Sequence, residues 1–328
     1  MTLPETYMFR TISRFVITVS LIISGSAYAA DYPSKPIKMN IGFSAGSATD
    51  LIGRIVAEQL SKRLEQPVIV ENKVGAGGSI AAQDTARSSA DGYHILLVSS
   101  AIAVNPAVYQ TADAVLDELA PIALIGYLPT VLMVSNDLPV STMSEFIEYA
   151  KKQPGKVNFG SSGIGGSTHM AMEAFAGYTD TELMHIPYKG NGQASVALLG
   201  NQIDAMMETL LLAAPVINTG RAKGLAISTE ERSELIPEVP TFTEAGVPDY
   251  DHSLFFGVMG PKNTPPALIE KLNSEINAVL QSPATRDRLV QTAGLTIANM
   301  TAQEFKEVLA DEVELWKKVA SASGIAPK

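Results

Sequence analysis

The sequence predicts an α/β protein of two lobes, each a mixed, mostly parallel sheet flanked by helices. Three observations predict it. Strands alternate with helices along the chain; the order strand, glycine-rich loop, helix occurs twice; and 328 residues exceed what a single hydrophobic core serves well. With 46% hydrophobic and 18% charged residues the chain has the make-up of a globular protein, neither disordered nor fibrous.

The first series opens with a strand over 37–43 and a tight loop over 44–47. A helix over 48–64 follows, in which Leu51, Ile52, Ile55, Val56, Leu60 and Leu64 recur at helical spacing and make one apolar stripe. A strand over 68–71, a GAGGS turn, a small-residue helix over 80–87 and a strand over 93–100 continue the alternation. The apolar run 122–135 is long enough to be one strand passing from one lobe to the other. The second series then has a helix near 143–152, a Pro154-Gly155 break, a strand ending at Ser161, the loop SSGIGGS and a helix over 168–176. Strands near 183–186, 203–207 and 224–227 complete it. After FFGVMGP come helices over 266–280, 285–293 and 302–321, expected to return to the first lobe; Trp316 on the last reads as core packing. The division expected is 30–130 plus 253–328 for lobe 1 and 131–252 for lobe 2, with the cleft and hinge between them.

Residues 1–29 have the layout of a secretory signal peptide. Arg10 and Arg14 precede an apolar run over 15–23, and Ala27, Tyr28 and Ala29 give a small-residue cleavage site. The run is well short of the roughly 20 residues a membrane span needs. The mature chain is therefore expected to be exported and soluble. Cysteine is absent, which excludes disulfides, thiolate metal sites, a thiol nucleophile and a lipid-modified cysteine anchor. Loss of residues 1–29 removes Arg10, Arg14 and Glu5 and leaves a net charge of −11, so nucleic acid and anionic membranes are poor partners.

Several motif matches compete for the chemistry. Gly42, Ser44 and Gly46 satisfy the nucleophile-elbow pattern between a strand and a helix, which makes an esterase using Ser44 a reading to test. No histidine lies in a recognisable acid-then-histidine setting, and the pattern is short. GSSGIGGS has the glycine spacing of a phosphate loop, but Gly166 stands where its lysine belongs. His94, His169, His185 and His252 show no metal-ligand spacing, and no cofactor is implied. What remains is the pair of loops. Each follows a strand and runs into a helix whose first turn carries free N–H groups, a ready anion site. Ser44, Ser47, Ser162, Ser167 and Thr168 add hydroxyl donors, and neither loop contains Lys or Arg. Either loop alone reads as a capped helix start; two in corresponding places read as a clamp for a carboxylate.

Taken together, FSAGSATD, VENKVGAGGSIAA, DGYHILL, NPAVY, SSGIGGSTHM, HIPYKGNGQA, PEVPTFTEAG and GPKNTPP, in that order, resemble the periplasmic substrate-binding components of tripartite tricarboxylate transporters, the Bug proteins. The resemblance spans essentially the whole mature chain. It implies a clamshell of the type II periplasmic-binding class, working as a monomer in the periplasm and delivering a mono- or dicarboxylate, aromatic acids included, to membrane permease subunits; presentation to a signalling receptor is the alternative. By position, it assigns Phe43, Ala45, Gly46, Ser47 and Asp50 to the first binding loop and Ser162, Gly165, Ser167, Thr168 and His169 to the second, with Tyr188 and Glu208 toward the ligand's other end. The chain departs from the family pattern at Ser47, where a second glycine is usual, at Gln193 for proline and Glu208 for aspartate, and in lacking the tryptophan usual around SLFFGV.

Overall fold

The computed structural model describes residues 32–328 except 249, 251, 323, 326 and 328, so the signal segment expected at 1–29 lies outside the described residues. The chain begins with β1 (Ile37–Ile41), α1 (Ala48–Leu64), β2 (Val68–Asn72), α2 (Ser79–Ala86), β3 (His94–Ser99), α3 (Ala101–Val108), α4 (Ala112–Leu116) and β4 (Leu119–Leu128). It continues with β5 (Thr130–Val134), α5 (Met143–Lys152), β6 (Asn158–Ser161), α6 (Ser167–Thr179), β7 (Met184–Pro187), α7 (Asn191–Leu199), β8 (Ala205–Thr209), α8 (Leu210–Asn218) and β9 (Lys223–Ile227). It ends with β10 (Leu254–Pro261), α9 (Pro266–Gln281), α10 (Pro283–Arg286), β11 (Thr296–Ile297) and α11 (Ala302–Ala322).

Two open sheets carry the two lobes, in the orders β11-β4-β10-β3-β1-β2 and β7-β6-β8-β5-β9. Both are mixed. The expectation of mostly parallel sheets needs correcting: β1 is parallel to β2 and β3, and β6 to β7 and β8, while β10 and β5 run antiparallel to both of their neighbours. The reason is topological. Strands joined by helical crossovers run parallel, whereas β5 and β10 enter their sheets directly from the other lobe, with no crossover to turn them.

The apolar run read as one strand is two. Pro129, which has no N–H for a ladder, separates β4 in the first sheet from β5 in the second. The return crossing lies beside it. Thr130 N donates to Ser228 Oγ at 2.8 Å, Ser228 N donates to Thr130 O at 2.9 Å, and Thr130 Oγ1 donates to His252 O at 3.0 Å. The two connections between the lobes are thus tied together by buried hydrogen bonds.

Four helices escaped the sequence reading. In α3 every residue is buried, so there is no polar face to reveal a period; α8 (LLLAAPVIN) is similarly apolar throughout. The helix expected at 285–293 is α10 followed by a π turn over Asp287–Gln291. The last helix does more than return to lobe 1: α11 packs on α3 and β4 and also touches α6 of lobe 2. Its Trp316 is 1% exposed, as core packing requires, and donates Nε1–H to Glu312 Oε2 at 2.8 Å.

Close packing positions α1 over the first sheet. A Cβ on Gly53 would meet Ile41 Cδ1 at 2.6 Å and Leu97 Cδ2 at 2.8 Å, so the helix lies nearer the strands than any side chain there allows. Gly126 in β4 has φ +155°, and a Cβ there would overlap the Thr296 carbonyl oxygen of β11. Gly126→Ala is expected to destabilise the fold by about 1–3 kcal/mol through that backbone clash. Urea denaturation measures it, and a change within about 0.5 kcal/mol would show that β11 yields freely.

Candidate ligand-binding site

The first loop leaves β1 and turns through Gly46, whose φ of +81° is the left-handed region that glycine enters without strain. Ser47 then adopts an extended conformation as the N-cap of α1, its Oγ accepting from Asp50 N at 3.2 Å. The positive φ falls at Gly46, so position 47 takes a serine without strain. Asp50 braces the loop from behind. Its carboxylate accepts from Gly46 N (3.0 Å), Arg54 Nε (3.0 Å) and Asn72 Nδ2 (2.9 Å), and the same Asn72 amide reaches Phe43 O. Burial raises the Asp50 pKa, but the bonds from Arg54, Asn72 and Gly46 outweigh it and hold the carboxyl below its ordinary value.

The second loop leaves β6 and turns through Gly163 and Gly165, both with positive φ, to reach α6. Ser162 N donates to Thr168 Oγ1 (3.1 Å), Thr168 Oγ1 donates to Asn191 Oδ1 (2.8 Å), and Asn191 Nδ2 donates to Glu208 Oε1 (2.9 Å). A continuous chain of bonds therefore runs from the loop to a buried acid at the end of β8. Glu208 also accepts from Thr209 N and Oγ1 and from Ser195 Oγ. Complete burial pushes its pKa up, with these hydrogen bonds opposing the shift.

The N-termini of α1 and α6 face one cavity of about 30 Å³, space for about two water-sized groups. Of the residues assigned from the sequence, Phe43, Ser47, Ser162, Ser167, Thr168 and Glu208 line it. Phe43 and Ser162 also line a cleft of about 370 Å³ leading outward, where Tyr188 and the exposed Lys189 stand. Ala45, Gly46, Asp50, Gly165 and His169 do not line these spaces; they shape or brace the loops. Sequence reasoning missed Ser99, Asn191 and Thr209, which complete the inner wall together with Leu254 and Phe256. Asn191 stood in HIPYKGNGQA as a signal; nothing marked Ser99. A larger groove of about 1090 Å³ on lobe 1, between α4, α9 and α11, also borders the first residues of α9 and α11, but it is lined by exposed charges of both signs and by none of the residues assigned from the sequence.

The lobes meet across the cleft. Tyr109 Oη donates to Ile164 O at 2.6 Å, and a Cβ on Gly190 would lie 2.5 Å from Ser44 Oγ. Among the described residues, Ser44 makes no hydrogen bond to a histidine.

A family model described as the tripartite tricarboxylate transporter family receptor matches residues 52–325. Protein BugT of Bordetella pertussis is 36% identical over 322 residues, covering 97% of this chain and 98% of its own length. This chain belongs to that receptor family. Two solved relatives share the clamshell: the R. palustris protein Rpa4515 with adipate, at 29% identity and TM-score 0.86 over 91% of this chain and 100% of that one, and MatC of Rhodopseudomonas palustris with bound malate, at 26% identity and TM-score 0.83 over 88% and 99%. The family is one of periplasmic binding proteins rather than enzymes, which places this receptor in the periplasm. Among its described residues no helix is long and apolar enough to cross a membrane.

Behind the receptor's second loop lies a pairing that the sequence concealed. His169 and His185, 16 residues apart in sequence, stack at 3.9 Å between ring centroids, and His185 stacks in turn on Phe159 at 4.9 Å. His185 Nε2 hydrogen-bonds Ser161 Oγ at 2.6 Å, and Ser161 Oγ accepts from Gly163 N at 3.0 Å, so the ring supports the loop's first turn. Burial first, and the neighbouring His169 second, lower the His185 pKa to about 3. A base with a depressed folded pKa contributes stability that is complete above its unfolded value near ~6.5 and is lost as pH falls toward the folded one. Urea unfolding of the wild type is therefore expected to show an acid limb between about pH 6.5 and about pH 3 that His185→Gln flattens. An unchanged limb would show that His185 is not held neutral by the fold.

Proposed function

We propose that this receptor captures a small organic carboxylate between its two glycine-rich loops and delivers it to membrane permease subunits of a tripartite transporter. The supporting observation is the convergence of two helix N-termini on one small cavity lined by hydroxyl and amide groups. Each terminus acts as roughly half a positive charge, and donors fixed in place need no reorganisation when the anion arrives. The relatives solved with adipate and malate point to the same ligand class.

In this reading residues 1–29 direct export and are removed, and Phe43, Ser47, Ser162, Ser167 and Thr168 surround the bound carboxyl group. The remainder of the ligand lies along the outer cleft toward Tyr188 and Lys189. Glu208 works at one remove, through Asn191, by holding Thr168 in place. Because the ligand touches both lobes only when they meet, binding favours the arrangement in which Tyr109 reaches Ile164.

A carboxylate at about 100 times its dissociation constant should stabilise the native state by about 2.7 kcal/mol, a shift of several degrees in melting temperature. A thermal-shift screen of aliphatic and aromatic acids against the mature chain tests this; no response across the panel would count against a carboxylate ligand. Thr168→Asp and Ser47→Asp each place an anion against the carboxyl group and are expected to abolish the response by calorimetry. Tyr109→Phe removes one hydrogen bond between the lobes and is expected to weaken binding about fivefold, the equivalent of about 1 kcal/mol.

A further inference from the structure

Ser99 ends β3 at the inner wall of the cavity, opposite Phe256 of β10 in the sheet register. It is 4% exposed, and its Oγ is fully buried without a hydrogen-bond partner among the described residues. Its neighbour Ser100 shows what a structural serine does here: Ser100 Oγ accepts from Phe255 N at 2.8 Å. A buried hydroxyl left without a partner is costly to keep unless something else engages it. Ser99 also borders a second space, of about 10 Å³, shared with Phe43, Gly77 and Gly78. It therefore stands where the carboxyl site meets the wall behind Phe43.

The donors already present exceed what a carboxylate accepts. Its two oxygens offer about four acceptor positions. The first turns of α1 and α6 present the N–H groups of Ala48, Thr49, Ser167 and Thr168, and the hydroxyls of Ser47, Thr49 and Ser167 line the same cavity. Ser99 belongs to neither helix terminus and adds a group that can both donate and accept. We infer that Ser99 reads an oxygen substituent on the carbon next to the carboxyl group, so that the preferred ligands are 2-hydroxy or 2-oxo carboxylates. A ligand hydroxyl exchanges one hydrogen bond with Ser99 Oγ in either direction, and an oxo group accepts its proton. This inference rests on the carboxylate-receptor reading and narrows it.

Calorimetry with two matched pairs, malate against succinate and lactate against propionate, tests it on the wild type, Ser99→Ala and Ser100→Ala. The wild type should bind the hydroxylated member of at least one pair about 10-fold or more tightly, and Ser99→Ala should erase that preference by weakening the hydroxylated acid far more than the unsubstituted one. The ligand-free melting temperature of Ser99→Ala should equal or exceed that of the wild type, since no partner within the protein is lost and an unpaired buried hydroxyl is removed. Ser100→Ala should instead melt lower and keep the preference. Should Ser99→Ala fail to fold, Ser99→Cys, similar in shape with a weak donor, gives the same readout. Equal weakening of both members by Ser99→Ala would place Ser99 on the carboxyl group and overturn the inference, as would a wild type without preference or without binding to any of the four acids. Failure of the carboxylate reading itself is distinguished by silence across the broader panel of aliphatic and aromatic acids.

Discussion

Two helices begin at one small cavity, and the amide hydrogens of their first turns must point into it without partners of their own. That constraint organises the surrounding polar groups. Asp50 spends its carboxylate within the protein: with Arg54 and Asn72 it fixes the backbone of the first loop. Thr168 spends its hydroxyl on Asn191 rather than on the cavity, which keeps the second helix start in register with the first. The positive end is built from backbone, and side chains hold the backbone still.

Glu208 is the apparent contradiction, an acid beside the proposed carboxylate site. Four donors from Asn191, Thr209 and Ser195 surround it, so its oxygens face groups that stabilise negative charge while burial works against that charge. The opposition keeps Asn191 oriented with its carbonyl toward Thr168. In the proposed receptor a second carboxylate on the ligand would meet the outer end of the cleft, where Lys189 is exposed to solvent. The overall acidity of the chain matters less, because surface charges are screened within about 8–10 Å in salt.

The sequence revealed those parts of the site that follow local rules. Gly46, Ser47, Gly163 and Gly165 are needed by backbone geometry and by a helix cap, and such requirements are written in consecutive residues. Ser99 was invisible because a serine at the end of an apolar strand has no distinctive pattern; only pairing β3 with β10 brings it to the cavity wall. The His169–His185 stack was hidden for the same reason, since β6 must lie beside β7 before the rings meet. Parallel order was over-read because the alternation of strands and helices does not reveal which strands arrive from the other lobe. The all-buried α3 and the almost wholly apolar α8 lack the polar face on which periodicity depends.

Pro129 interrupts the first crossing between the lobes, and Thr130 ties that crossing to the second at Ser228 and His252. Two connections fastened side by side leave essentially one angular coordinate, a swing about the axis they share, and suppress shear and twist. In the proposed receptor, a ligand lodged between the loops would act as a stop on that swing. Acids of different length would arrest it at different angles, turning the dimensions of a molecule inside the cleft into a measurable position of the two outer surfaces.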